Sequence, residues 1–308
     1  MPTPVIDIDS LTKVYPRQIG QPARRSLDDL RLRIGENEIF GFLGQNGAGK
    51  TTTIKILCSL LRPTKGAASV CGHDVRTRAA RSCIGYLPEN PYFYEYLTPR
   101  ETIDFYGRLQ GLDKATRARE WDALSERLDL RGIGAQRIRG FSKGMRQRLG
   151  FAVALVGDPP VLILDEPMSG LDPLGRRMIR ELILSLRAAG KTIFFSSHVL
   201  GDVEQICDRV GILVEGRLRT QGRIDELLNR RNEQVELVVS GLSAETADAL
   251  ARDALHARRS EAGLHLTTAD AAAANAMARA ALSEGGQIVE FTPIRESLEA
   301  YFVKEQAS

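Results

Sequence analysis

The sequence predicts an α/β fold followed by a small α+β domain. Three observations carry this. Short apolar runs of strand length alternate with segments of helical period. One run, "PVLILDEP", is apolar without interruption until two carboxylates end it, as suits a strand buried on both faces of a parallel sheet. Around the charged, polar stretch 229–234 the pattern changes character, which divides the chain into domains at 1–228 and 229–308.

Taken in order, "VIDIDSLTKVY" alternates apolar and polar residues and reads as a strand. "RRSLDDLRLRIG" continues the β signal, with Leu27, Leu30, Leu32 and Ile34 on its apolar side. "EIFGFLG" is a short apolar strand running into "QNGAGKTT". Behind that loop, Ile54, Leu57, Cys58 and Leu61 fall at i, i+3, i+4 and i+7, the buried face of a helix that Pro63 ends. "LTPRETIDFYGRLQGL" is a second helix: Thr98 is its N-cap, Pro99 its first residue, and Glu101 completes a capping box. Just before it lies an aromatic cluster of Tyr92, Phe93, Tyr94 and Tyr96, with Tyr86 a little upstream, in a chain only 6% aromatic. "SKGMRQRLGFAVALVG" is a helix, and "PVLILDEP" is the buried strand. From Asp172-Pro173 a helix carries Met178, Ile179, Leu182, Ile183 and Leu186 on one face, and Gly190 closes it. "TIFFSSH" is a strand, followed by a helix from about Val199 to Cys207. In the second domain, "VELVVSG", "GLHLTT" and "QIVEFT" read as strands separated by two alanine-rich helices, and amphipathic "RESLEAYFV" ends the chain.

The 43% hydrophobic and 26% charged content is that of an ordinary soluble globular protein. A net charge of +3 gives no argument for a nucleic-acid partner, and the basic run "RTRAAR" reads as solvated surface. Cys58, Cys71, Cys83 and Cys207 form no CxxC pair and no zinc spacing, and so read as reduced cytosolic thiols. "MPTPVIDIDS" has no apolar signal region, and no run approaches the roughly 20 apolar residues that span a bilayer. At a membrane the chain is expected to be peripheral.

"GQNGAGKT" matches G-x-x-x-x-G-K-[ST], the P-loop pattern, and it stands between a strand and a helix. Glycines let backbone N–H groups curl around phosphate oxygens, Lys50 places a cation on the β- and γ-phosphates, and the Thr51 hydroxyl can ligate Mg²⁺. The helix that follows offers its positive end to the same anion. Asp165 and Glu166 end the buried strand, where a P-loop protein keeps its Mg²⁺ carboxylate and a base for the attacking water.

The order of motifs resembles the ATP-binding cassette (ABC) ATPases over about residues 5–228. "GQNGAGKTT" is similar to their Walker A, "LILDEP" to Walker B, "FSKGMRQR" to the signature, "SGLD" to the D-loop, "SSH" to the switch histidine and "GYLPEN" to the Q-loop. The resemblance implies a P-loop NTPase cassette: a mixed-sheet core, an antiparallel β subdomain and a helical subdomain. It implies ATP and Mg²⁺, with nucleotide held by Gly44, Gln45, Asn46, Gly47, Ala48, Gly49, Lys50, Thr51 and Thr52, and metal by Thr51, Glu89 and Asp165. Glu166, His198 and Lys50 become the catalytic residues. Tyr15 resembles the aromatic that stacks on adenine. A second cassette is implied as well, in a homodimer or a heterodimer, because Ser142, Gly144 and Asp172 serve the nucleotide across that interface. His73, His256 and His265 have no comparable context.

Three positions depart from the general pattern: Glu89 stands at the Q-loop glutamine, Lys143 at the first signature glycine and Met145 at the signature glutamine. "GYLPEN" and "SKGMRQRL" together resemble the bacterial branch serving ABC-2-type exporters, whose permeases are separate chains. An integral-membrane permease is therefore the expected partner, contacted through about Glu89 to Tyr96, with the chain on the cytoplasmic face of the cell membrane. A soluble ABC ATPase acting on nucleic acid or ribosomes is the alternative. It is disfavoured because the chain holds one cassette and no heptads or CxxC pair between Lys50 and Ser142. For 229–308 a regulatory or dimer-supporting role fits better than binding of exported substrate, since substrate-binding modules of this family tend to be larger and all-β.

Overall fold

The computed structural model describes residues 4–16, 23–229 and 234–293. They fall into two compact units, 1–223 and 224–308. The polar stretch chosen from sequence as the boundary includes 230–233, outside the described residues.

In the first unit, the alternating residues of β1 (Ile6–Tyr15) pair antiparallel with β2 (Arg24–Ile34), so that Ile6, Ile8 and Leu11 face Ile34, Leu32 and Leu30. All six are buried. Strand β3 (Ile39–Leu43) runs through the glycine loop into α1 (Lys50–Leu57). That helix ends earlier than its periodicity suggests. Ser59 adopts φ 64°, and the N–H groups of Leu60 and Leu61 both return to the Lys55 carbonyl, so Leu61 lies beyond the helix. Strand β4 (Lys65–Val70) and the short β5 (His73–Asp74) rejoin β1 in a four-stranded antiparallel sheet of order β2-β1-β4-β5.

After α2 (Arg78–Ser82) and β6 (Ile84–Leu87) comes a helical region of α3 (Pro99–Leu109), α4 (Lys114–Arg127) and α5 (Lys143–Leu155). The capping box of α3 closes with both bonds: Thr98 N–H donates to Glu101 Oε2 at 2.8 Å and Glu101 N–H to Thr98 Oγ1 at 3.2 Å. Next come β7 (Val161–Asp165), α6 (Pro173–Ala188), β8 (Thr192–Ser197), α7 (Leu200–Ile206), β9 (Arg209–Val214) and β10 (Arg217–Arg223). The expected face of α6 holds for Ile179, Leu182, Ile183 and Leu186, while Met178 is exposed.

The larger sheet has order β10-β9-β3-β8-β7-β6, parallel except for β10. Strands β3, β7 and β8 are buried along their whole length, which is why they read as continuous apolar runs. Register pairs Leu43 with Ser197 and Asp165 with Ser196. The three strands therefore end level, and the segments leaving them meet at one edge of the sheet, where ligands bind in open α/β folds.

The second unit contains α8 (Ile224–Asn229), β11 (Val235–Ser240), α9 (Ala244–Asp253), β12 (His256–Ser260), β13 (Gly263–Thr268), α10 (Ala271–Ser283) and β14 (Gln287–Pro293). From β11 onward it is a βαββαβ unit with an antiparallel sheet of order β12-β13-β11-β14. Leu237, Val239, Leu250, Leu264, Leu266 and Met277 form its core. Strand β12, "HARRS", is an addition to the expected strands: it is an edge strand, exposed throughout, and carries no apolar alternation. The expected C-terminal amphipathic segment lies outside the described residues.

Candidate active site

The glycine loop can form only because it carries no side chain where α1 begins. Gly49, the N-cap, has φ 118°, and a Cβ there would stand 2.6 Å from the Ser26 carbonyl oxygen. The loop holds Lys50 in place: its ammonium is buried, donates to the Gly44 carbonyl at 2.6 Å and lies 3.5 Å from Glu166 Oε1. An ammonium so placed has already lost its bulk hydration, so an incoming phosphate competes with fixed carbonyl dipoles instead of water.

Asp165 is buried at the end of β7 and accepts from Ser196 Oγ at 2.7 Å; Thr51 also hydrogen-bonds it. Burial raises its carboxyl above the usual carboxylate range, the Ser196 and Thr51 bonds pull it back, and the neighbouring Glu166 charge pushes it up again. The same Ser196 hydroxyl accepts the Glu166 N–H at 3.1 Å. Glu166 itself adopts φ 49°, a left-handed conformation unusual for a residue with a side chain. This turn directs its carboxylate to both Lys50 and His198, whose Nδ1 lies 2.8 Å from Oε2.

One cleft is lined by Arg24, Ser26, Gln45, Asn46, Gly47, Gly49, Lys50, Thr51, Thr52, Glu89, Glu166 and His198. It unites residues expected from four motifs far apart in sequence. Gly44 and Ala48 shape the loop from beneath, through the Lys50 bond and the Ala48 N–H to Gln45 carbonyl bond of 3.1 Å. Tyr15 stands at the end of β1 with its hydroxyl 3.5 Å from Thr52 Oγ1, beside the cleft but outside its lining.

Comparison with known proteins shows the family. The family described as "ABC transporter" matches residues 27–169. An uncharacterized ABC transporter ATP-binding protein of Synechocystis is 45% identical over 240 residues, 77% of this chain and 68% of that one. The bacitracin transport ATP-binding protein BcrA of Bacillus licheniformis is 39% identical over 242 residues, 77% of this chain and 75% of its own. Among solved structures, an ATP-binding subunit of an ABC transporter superposes with a TM-score of 0.66 at 32% identity, covering 72% of this chain and 91% of that one.

This chain belongs to the ABC transporter family.

The chain is thus an ABC-type transport ATPase, and Ser142, Gly144 and Asp172 lie apart from the Lys50 cleft. Ser142 caps α5 by accepting the Met145 N–H at 3.2 Å, and Asp172 caps α6 by accepting the Gly175 N–H at 2.8 Å. Ser142, Gly144 and Asp172 share a separate groove with Leu171 and Met178, and none of them lines the Lys50 cleft.

Sequence reasoning missed Ser196, Arg24 and Ser26. Ser196 reads only as an inward residue of β8. Arg24, whose Nη2 lies 3.3 Å from the Gly47 carbonyl, and Ser26, 2.9 Å from Thr52 Oγ1, belong to a strand with no motif of its own. The aromatic cluster divides. Phe93 is 4% exposed and is a core residue, whereas Tyr92, Tyr94 and Tyr96 are 82%, 47% and 66% exposed. Their loop is fastened to the signature region by the Glu95–Arg146 ion pair of 3.1 Å, the Ile138 N–H to the Leu97 carbonyl at 3.0 Å, and a bond from Arg137 to the Tyr96 carbonyl.

Proposed function

We propose that this chain is the ATP-hydrolysing subunit of an ABC-2-type exporter, driving a separate integral-membrane permease. The observation that carries the reading is the convergence of Lys50, Glu166 and His198 on one glycine-loop cleft, while Ser142 and Gly144 face another groove of the same chain. A site divided in this way is completed by a second cassette, in a homodimer. Each chain then presents its signature to the nucleotide of the other, with the positive end of α5 toward the phosphates.

The donors fit Mg²⁺. Among the described residues no cluster of three or more His, Cys, Asp or Glu could hold a metal alone. Thr51 and the buried Asp165, with Glu89 lining the same cleft, form the sparse oxygen set of a metal that is also held by substrate phosphates. When bound, Mg²⁺ neutralises charge on the β- and γ-phosphates. Lys50 adds a second cation there. Glu166 acts as general base toward the attacking water, and His198 fixes the orientation of its carboxylate. Tyr15 stacks on adenine beside α1.

Binding of ATP closes the cassettes, and hydrolysis with product release reopens them. The exposed Tyr92, Tyr94 and Tyr96 receive a permease helix, since rigid, amphipathic aromatics make good anchors. Residues 1–228 constitute the cassette and 229–308 an accessory domain that regulates or supports the dimer. The chain works at the cytoplasmic face of the membrane; among the described residues no helix is long and apolar enough to cross one. Its relative BcrA is named for bacitracin transport, which supports the exporter reading.

Glu166→Gln tests this. ATP binding is retained, hydrolysis falls at least about 100-fold, the range of a lost general base, and an ATP-bound dimer accumulates on size exclusion. Unchanged hydrolysis would remove Glu166 from its role.

A further inference from the structure

The turn that follows β7 holds the catalytic carboxylate in a strained backbone, and the sheet supplies only part of what holds it. The Glu166 N–H donates to Ser196 Oγ at 3.1 Å, and the Ser169 N–H closes the turn onto the Glu166 carbonyl at 3.0 Å. A third tie comes from α5. Gln147, 1% exposed, donates Nε2 to the Pro167 carbonyl at 2.8 Å. A carbonyl can only accept, so the Gln147 amide must present its nitrogen there.

One helical turn earlier, on the same face of α5, Lys143 lays its stem across the same segment. A Cβ at Gly170 would collide with the Lys143 ammonium and stand 3.0 Å from its Cε. Gly170 is left-handed, with φ 66°, and so leaves this surface open. Lys143 is exposed and forms no ion pair among the described residues.

We propose that Gln147 is a positioning residue for Glu166, with Lys143 as a weaker outer tie. The helix that begins at Ser142 thereby holds the turn carrying its own chain's catalytic carboxylate. This rests on the role of Glu166 in the proposed function. Without the Gln147 amide, the buried Pro167 carbonyl loses its donor and the turn must shift to find another. The shift moves the carboxylate relative to the water it activates, and misplacement on the ångström scale costs about 100-fold in rate. The glycine loop and α1 take no part in this contact, so nucleotide affinity stays as it is. Gln147 and Lys143 also lie in the helix whose first turn meets the second chain's nucleotide. Docking there and positioning of Glu166 thus act on one rigid element.

The test is a double-variant cycle on the full chain. Gln147→Met keeps length and removes the donor, and Gln147→Glu replaces the donor with an acceptor. Each is combined with Glu166→Gln, and steady-state ATP hydrolysis is normalised to sites counted with a fluorescent ATP analogue. Each Gln147 variant lowers kcat by about 10- to 100-fold, leaves KM within about twofold, and adds no further loss in the Glu166→Gln background. Lys143→Met shows the same pattern with a loss of several-fold. Losses that multiply in the double variants, or a raised KM with unchanged kcat, would overturn the proposal. Should the Gln147 variants fail to fold, the Lys143→Met cycle at its exposed site decides on the same criteria. If Glu166→Gln itself hydrolyses ATP normally, the proposed function fails first, and that outcome is distinct from multiplying losses.

Discussion

Ser196→Ala removes one hydroxyl that serves two residues at once, Asp165 at the end of β7 and Glu166 just beyond it. Ser196 is fully buried, donates to Asp165 Oδ1 at 2.7 Å and accepts the Glu166 N–H at 3.1 Å. A hydrogen bond to an ionised carboxylate contributes about 1.5–3 kcal/mol, and a buried N–H left without an acceptor costs about 1–3 kcal/mol. Since the two effects share one cavity, about 3 kcal/mol is the expected destabilisation of the first unit. For a unit of this size that lowers Tm by about 6–12 °C. A pH effect follows. The Asp165 carboxyl already lies above its ordinary range, chiefly through burial, and the Ser196 bond opposes the rise. Losing that bond raises it further, so the ionised form to which the proposed function gives the metal is lost at a higher pH on acidification, and the acid limb of ATP hydrolysis should move upward. The sign for stability is opposite to that for activity. A carboxyl raised in the folded state binds more protons folded than unfolded, so its contribution falls as pH rises from the unfolded value through the folded one. Differential scanning calorimetry, together with a pH–rate profile at saturating Mg-ATP, reads both effects. A Tm change under about 2 °C with an unmoved acid limb would refute the shared role of this hydroxyl, the first figure being below what a kcal/mol-scale loss produces.

Other consequences can be checked separately. Phe93→Ala should cost about 3–5 kcal/mol, as a buried phenylalanine does, whereas joint alanine substitution of Tyr92, Tyr94 and Tyr96 should leave stability and basal hydrolysis near wild type but abolish permease-dependent transport; equal loss of basal hydrolysis in the triple variant would make these tyrosines structural. Burial pushes the Cys58 and Cys207 thiols above the ordinary range, and burial with the neighbouring Cys83 thiol pushes Cys71 up to about 12. At pH 8 these three carry little thiolate, so iodoacetamide should spare them in the folded protein and label them after denaturation, as read by peptide mass spectrometry; rapid labelling of Cys71 in the native chain would contradict its setting.

Much of the site is legible along the chain because phosphate binding makes local demands. A loop that curls around an anion needs glycine at set places, a lysine one residue later and a helix behind it, and all of that fits within Gly44 to Thr52. The strands β3, β7 and β8 announced themselves for a related reason: burial on both faces leaves no polar side. The edge strand β12 has the opposite character, with every residue exposed, and carries no periodic signal to read.

What the sequence determined, then, was the inventory of motifs and the family, because each depends on residues close together in the chain. What the tertiary structure decided was which side chains work together. Parallel register brought Ser196 between Asp165 and the Glu166 N–H, helix α5 placed Gln147 against the Pro167 carbonyl, and the loop before α3 sank Phe93 while leaving its tyrosine neighbours outside. Each pairing joins elements distant in sequence. The energy of such a contact depends on register, burial and donor direction, and these exist only once the strands and helices have packed.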